Sequence, residues 1–374
     1  QLPAVTLTGP RQSGKSTLCR ATFPDHPYAN LEAPDVRSFA VEDPRGFLAQ
    51  FPDGAVLDEI QRAPELPSYL QGLIDADPRP GRWILTGSQN LALIERVSQS
   101  LAGRTAVLHL LPLARSEVVR FASAPEDLDD VLLAGGYPRI FDQRLDPTEW
   151  LRAYTATYIE RDVRTVSNVG DLTTFQRFVE LCAGRTAQLM NFSALASDCG
   201  IAQPTVKAWL SILETTFIVF RLPAFSGNVR KRLVRMPKVH FYDTGLACFL
   251  LGIRNAGQLR NHPLRGAIFE TWVVSEIVKH RVNAGEHGGL SFYRDRRGLE
   301  ADLVVEHPDR LRIVEAKAAQ TARPGMSDDL RRVRDVLDAP RSGEAVLVYG
   351  GDSRQRRTDA DVCPWSALHE RTWV

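Results

Sequence analysis

The sequence predicts an α/β protein of several domains: a parallel sheet first, then a helical stretch and a helix-turn-helix, then a smaller α/β layer. Three observations carry this. Short apolar runs alternate with helix-length patterns over roughly the first third of the chain. A glycine-rich loop, "GPRQSGKST" at 9–17, joins the first run to the first helix. A long apolar helix pattern, "LRGAIFETWVVSEIVKHR", is followed by strand-like runs that carry acids. At 374 residues the chain is too long for one ordinary core.

The first strand is "AVTLT", and "STLCRATF" has the pattern of a helix after it. Between them, Gly9 to Ser16 fits G-x-x-x-x-G-K-[ST] at every fixed position. Glycines let backbone N–H groups turn inward around a phosphate, at a helix N-terminus whose partial positive charge favours anions. Lys15 would reach the outer phosphate oxygens, and Ser16 would offer its hydroxyl to Mg²⁺. An ordinary glycine-rich turn is the plainer reading. The expected nucleotide-binding residues are Gly9, Arg11, Gln12, Ser13, Gly14, Lys15, Ser16 and Thr17.

A second motif, "GAVLDEIQ", ends an apolar strand in Asp58 and Glu59. Asp58 can hold the magnesium's water shell, and Glu59 can polarise an attacking water. A third strand, "RWILTGS", leads to Ser88 and Asn90, either of which serves as a γ-phosphate sensor or caps the next helix. With "YANLE" and "AVLHLLPL" this makes five parallel strands, with the ligand at their carboxyl ends. No N-K-x-D motif for guanine occurs, which favours ATP. Arg104, in "SLAGRT", is the candidate arginine finger, with a solvated loop arginine as the alternative.

From 116 to 166 the pattern turns helical, broken by "GGYP". Trp150, Leu151, Tyr154, Tyr158 and Ile159 recur at helical spacing and read as core. Arg161 and Arg164 could approach phosphates, though ion pairs with Glu160 and Asp162 are the plainer reading. "FSALASDCGIAQPTVKAWLSILE" has the periodicity of a helix-turn-helix, with a tight turn at Gly200 and Pro204 in the next helix's first turn. Two strands around "SGN" follow, with a basic run that holds no acid, so the segment reads as a winged helix. DNA contact is expected through Lys207, Arg230, Lys231, Arg232, Arg235 and Lys238; a protein-docking module is the alternative.

In the last block, Asp302 lies on one strand, while Glu315 and Lys317 share a face of the next. Glu270 on the preceding helix can approach them. Carboxylates that fix a metal beside a lysine suit Mg²⁺-dependent phosphodiester hydrolysis; an exposed acidic strand edge is the alternative. The Asp…Glu-x-Lys spacing points to a restriction-endonuclease-like fold.

A net charge of +1 gives no global pull toward nucleic acid or acidic lipid, so a polyanion must be met by a local patch. Five scattered cysteines argue against a disulfide framework or zinc site and for a reducing cytoplasm. No run is long enough to span a membrane. The chain opens at Gln1, so a lead segment is expected upstream.

"GPRQSGKSTL", "LDEIQRAPEL", "ILTGSQN", "SLAGR", "GGYP", "YIERDV", "YDTGLACFLLG", "GAIFETWVVSEI" and "IVEAKAA" together resemble a prokaryotic family of AAA-type P-loop ATPases. Its members join the ATPase domain to a C-terminal domain of unknown function that is similar to restriction-endonuclease-like, PD-(D/E)XK nucleases. The resemblance covers nearly the whole chain. It implies ATP binding at Gly14 to Thr17, metal and water duties at Asp58 and Glu59, and nuclease-like positions at Glu270, Asp302, Glu315 and Lys317.

The expected layout is an ATPase core at 1–115, a helical lid at 116–170, a winged helix at 171–243 and a nuclease-like α/β domain at 244–374. The expected function is an Mg²⁺-dependent ATPase whose nucleotide state moves a winged helix and a nuclease-like module on DNA. The alternative is a nucleotide-gated binding protein with an inert C-terminal site. Self-association is left open.

Overall fold

The computed structural model describes residues 2–87, 100–159, 171–225, 236–337 and 342–374. The chain divides into two compact units. One is Gln1–Leu111 with Thr215–Phe217, and the other is Pro112–Glu214 with Ile218–Val374. The second unit holds most of what the sequence reading divides into lid, helix-turn-helix and C-terminal layer.

In the first unit, β1 (Ala4–Thr8), β2 (Tyr28–Asn30), β3 (Ala55–Asp58), β4 (Trp83–Gly87) and β5 (Thr105–His109) form one sheet in the order β2-β3-β4-β1-β5. Every pairing is parallel, as expected. β3 and β4 are buried at every residue, because a parallel sheet with helical crossovers is covered on both faces. The helices Lys15–Thr22, Pro34–Glu42 and Leu66–Ala76 are among those crossovers. Two strands are shorter than their apolar runs suggest. β2 stops at Asn30, which lets Glu32 line a cleft, and β5 stops at His109.

In the second unit, the helices Leu128–Ala134 and Pro138–Asp142 are separated at "GGYP", where Gly135 takes a φ of 66°. The helix Pro147–Tyr154 packs Leu151 and Tyr154 into a core and runs into a π-helical turn, Thr155–Ile159. The helix Leu172–Ala183 and β6 (Gln188–Leu189) come next. They are followed by the helix Phe192–Cys199, a left-handed Gly200 at φ 71°, and the helix Gln203–Thr215. Leu195, Val206, Trp209, Leu210 and Leu213 are buried, the face that the periodicity selects. β7 (Val219–Leu222) and β8 (Lys238–Phe241) close an antiparallel sheet of order β6-β8-β7.

The long helix Arg265–Asn283 is apolar on most sides and correspondingly buried. It packs on β11 of a second sheet. That sheet contains β9 (Leu290–Arg294), β10 (Glu300–Glu306), β11 (Leu311–Lys317), β12 (Ser342–Tyr349), β13 (Gln355–Arg356) and β14 (Asp361–Pro364), in the order β13-β14-β12-β11-β10-β9. β9, β10 and β11 are an antiparallel meander, and the helix Asp328–Val336 carries the chain across to β12, parallel to β11. The segment after β7 docks on this sheet: Phe292 N–H donates to the Pro223 carbonyl at 2.9 Å, and Phe225 N–H to the Phe292 carbonyl at 2.6 Å. Among the described residues no helix is long and apolar enough to cross a membrane.

Candidate functional site

At the carboxyl ends of β1 and β3 the chain folds into a cleft of about 360 Å³. Its walls include Arg11, Lys15, Ser16, Thr17, Asp58 and Glu59. Gly9 follows β1 at a φ of 153°, where a Cβ would stand 2.1 Å from the Leu110 carbonyl oxygen; only glycine lets the loop pass there. Gln12 and Gly14 are left-handed, at φ 63° and 94°, and Gly14 precedes the helix Lys15–Thr22. The loop's amides are thereby set at a helix N-terminus.

Lys15 is buried, and its Nζ donates to the carbonyls of Gly9 at 3.1 Å and Pro10 at 2.7 Å. Burial pulls its pKa down to about 8, against the opposing pull of Glu59 and Asp58. Ser16 Oγ donates to Asp58 Oδ2 at 2.7 Å. Tyr28 donates to the same oxygen, and Thr86 to Asp58 Oδ1. Burial, and then its hydrogen bond to Asp58, push Tyr28 up to about 12, so the phenol keeps its proton. Glu59 is left-handed at φ 58°, and its N–H donates to Thr86 Oγ1 at 3.2 Å. Its carboxylate accepts from Gln61.

This donor set fits a nucleotide with Mg²⁺. The side chains that meet at Asp58 offer oxygen alone, the ligand a small hard cation takes. Ser13 Oγ, buried in the loop, has no hydrogen-bond partner among the described residues.

Arg104 requires a correction. Its carbonyl accepts from Ala4 N–H at the amino end of β1, the opposite end of the sheet from the phosphate loop. Its guanidinium pairs with Asp75 at 2.6 Å. β1 spans about 17 Å at ~3.3 Å per residue, so Arg104 is no finger for its own chain's loop. Asn90 and Ser88 lie outside the described residues, as do Arg161, Arg164, Arg230, Lys231, Arg232 and Arg235. Lys207 is exposed on the second helix of the helix-turn-helix, its ammonium 5.8 Å from the Phe192 ring centre.

A second charged centre lies on the C-terminal sheet. The antiparallel register pairs Leu303 with Val314, which sets Asp302 opposite Glu315. Glu270 joins them from the helix Arg265–Asn283, and Glu300 from the start of β10. Lys317 Nζ pairs with Glu315 Oε1 at 2.5 Å. The sequence-predicted acids therefore do meet.

What they surround is Lys238, and this corrects its assignment to a DNA-facing wing. Lys238 is 3% exposed, and its Nζ lies 2.7 Å from Glu270 Oε1, 2.6 Å from Glu300 Oε1 and 3.6 Å from Asp302 Oδ1. Burial works against its charge, but Glu270, Asp302 and Glu300 together hold its pKa above the ordinary lysine value. Burial and the neighbouring acids raise Glu270 and Asp302 and push Glu315 up to about 8. As arranged, the acids do not fit the metal-ligand roles expected of Glu270, Asp302 and Glu315. An ammonium stands among them, and no group of three His, Cys, Asp or Glu among the described residues could hold a metal ion.

A family model described as an AAA domain matches residues 1–119. Two models for domains of unknown function, DUF8612 and DUF4143, match 125–257 and 265–368. Uncharacterized proteins of Mycobacterium tuberculosis (Rv2008c) and Mycobacterium bovis (Mb2031c) are each 31% identical over 363 residues, 96% of this chain and 79% of theirs. The chain belongs to their family. Its first unit carries the family's AAA domain, and with the phosphate loop inside that domain it is a P-loop ATPase. Among solved structures, the Walker-type ATPase paby2304 of Pyrococcus abyssi aligns at 17% identity over 67% of this chain and 91% of that one, with a TM-score of 0.41. Protein VC1899 of Vibrio cholerae aligns at 12% over 98% and 96%, with a TM-score of 0.24.

Sequence reading of this family member missed Tyr28, Thr86, Glu300 and the inward turn of Lys238. For Tyr28 and Thr86 a signal existed: both are polar residues on the strands that flank Asp58. For Lys238 there was none, because a lysine in a basic run reads as solvated.

Proposed function

We propose that this protein is an Mg²⁺-dependent ATPase whose nucleotide state controls a DNA-engaging second unit. The observation that carries the reading is the bond from Ser16 to Asp58 beside Lys15, which brings the two motifs together in one cleft. Loop N–H groups from Arg11 to Thr17 grip the phosphates. Phosphate oxygens are stronger acceptors than the Gly9 and Pro10 carbonyls, so the Lys15 ammonium exchanges those carbonyls for the β- and γ-oxygens. Ser16 and Asp58 would hold the magnesium, which neutralises phosphate charge. Glu59, turned at its left-handed backbone, orients the attacking water, and Asn90 senses the γ-phosphate. With Arg104 at the far end of the sheet, another arginine, of this chain or of a neighbouring copy, supplies the stabilising charge.

The order of helix, β6, two helices and the strands β7 and β8 supports a winged helix. It would engage DNA through Lys207 on its second helix and through Arg230, Lys231, Arg232 and Arg235. The sheet that pairs Asp302 with Glu315-x-Lys317 supports a restriction-endonuclease-like module, used for binding. No metal-dependent cleavage follows from its arrangement.

ATP hydrolysis measured alone, with duplex DNA and with single-stranded DNA tests the coupling. Stimulation by either polymer is the expected result. An unchanged rate with both removes DNA as the partner and leaves the ATPase standing.

A further inference from the structure

Around β10 and β11 the sequence assembles four acids and two lysines, of which Lys238, Asp302 and Glu315 are buried. Glu300 and Asp302 lie two apart on β10, so their side chains share a face. Continued one residue past Leu303 and Val314, the antiparallel register brings Asp302 beside Glu315. Ala316 N–H donates to Asp302 Oδ2 at 2.8 Å and aims its other oxygen, Oδ1, at Lys238. Glu315 Oε2 is buried beside Asp302 with no hydrogen-bond partner among the described residues. Lys238 enters from β8, a strand of the other sheet in this unit, and its ammonium also lies 5.6 Å from the Phe292 ring centre.

We propose that Lys238 is a resident cation of the Glu270–Glu300–Asp302 cluster, which keeps divalent ions out of the C-terminal centre and which, when removed, opens that centre to one. The spacing argues for an ammonium. Its nitrogen sits 2.6–3.6 Å from the acids' oxygens, whereas Mg²⁺ demands oxygens at about 2.0–2.1 Å. A divalent ion added beside Lys238 would meet a like charge in a desolvated place. With the ammonium gone, Glu270 and Asp302 lose their cation, and these acids with the open Glu315 Oε2 are hard oxygen ligands that a divalent ion can claim from protons, Lys317 staying on Glu315 Oε1. The inference concerns this sheet alone and does not depend on the ATPase reading.

The test is Mn²⁺ titration of the nucleotide-free full chain, with free Mn²⁺ read by electron paramagnetic resonance. Four proteins are compared: wild type, Asp302→Asn, Lys238→Met, and the double variant. Any uptake at the phosphate loop is common to all four and cancels. Wild type and Asp302→Asn should bind alike, while Lys238→Met should gain one site at least about tenfold tighter than any in wild type, lost again in the double variant. The proposal is overturned if Asp302→Asn removes a Mn²⁺ site from the wild-type protein. It is equally overturned if Lys238→Met keeps its native circular dichroism and takes up no more Mn²⁺ than wild type. Should Lys238→Met fail to fold, the first pair decides alone: equal uptake supports the resident cation, and a site lost with Asp302 refutes it.

Discussion

Ser16 Oγ donates a hydrogen bond to Asp58 Oδ2 across 42 residues of sequence, at 2.7 Å. Asp58 also accepts from Tyr28 and Thr86, so three hydroxyls hold one carboxylate at the tip of β3. Hydrogen bonds to a charged group contribute about 1.5–3 kcal/mol each. Tyr28→Phe and Thr86→Val should therefore leave the fold intact while raising the Mg²⁺ concentration for half-maximal ATP turnover about tenfold. Magnesium titrations of the two variants check this, and unshifted curves would show that Asp58 needs neither hydroxyl.

Lys15→Ala should lower ATP turnover at least about a hundredfold, the scale on which a single preorganised electrostatic group acts. A steady-state assay at saturating ATP reads it. Retained turnover would place hydrolysis at another site.

The same lysine sets a pH dependence. Burial draws its pKa from 10.5 to about 8, so the protein without nucleotide loses the charge as pH rises through about 8. A bound triphosphate favours the charged form, so binding returns a proton to Lys15 where the amine had lost one. ATP affinity should fall with rising pH above about 8, with proton uptake visible by calorimetry in buffers of different ionisation enthalpy. Constant affinity across that window would contradict it.

Glu315 predicts a stability that also declines with rising pH. Burial, then Asp302, push its pKa from 4.5 to about 8. Between those values the folded protein holds a proton that the unfolded chain has released, so stability falls as pH rises through the window. Glu270 and Asp302 are shifted the same way. Glu315→Gln should flatten the decline, measured by urea unfolding at a series of pH values. A wild-type stability that rises from about pH 5 to 8 would count against it.

If DNA is bound, Lys238 takes no part, being buried among acids. The five cations Lys207, Arg230, Lys231, Arg232 and Arg235 then set a log–log salt slope of at most about −4.5 on duplex DNA. Replacing any one of them should reduce that slope by about 0.9. Lys238→Met should leave it unchanged.

Local chemistry made much of this protein legible from sequence. The phosphate loop is a contiguous pattern with its strand and helix beside it, and the parallel strands are short apolar runs bounded by turns. The helix-turn-helix shows itself by periodicity and by a glycine that must be left-handed, at φ 71°. Even the meeting of Asp302 with Glu315 follows from strand alternation across an adjacent antiparallel pair. These features depend on neighbours a few residues or one hairpin away.

Tertiary structure alone decided which way charges face. Arg104 stands just before a strand, and the parallel register with β1 places it at the end away from the loop. Lys238 sits in a basic run that reads as exposed, yet it is buried against acids 32 to 64 residues further along the chain. A charged side chain can be satisfied by water or, where the desolvation is offset, by a buried counter-charge, and its own neighbours in sequence carry no record of the choice. That choice is made when separate elements pack, by whether opposite charges arrive to offset the loss of water.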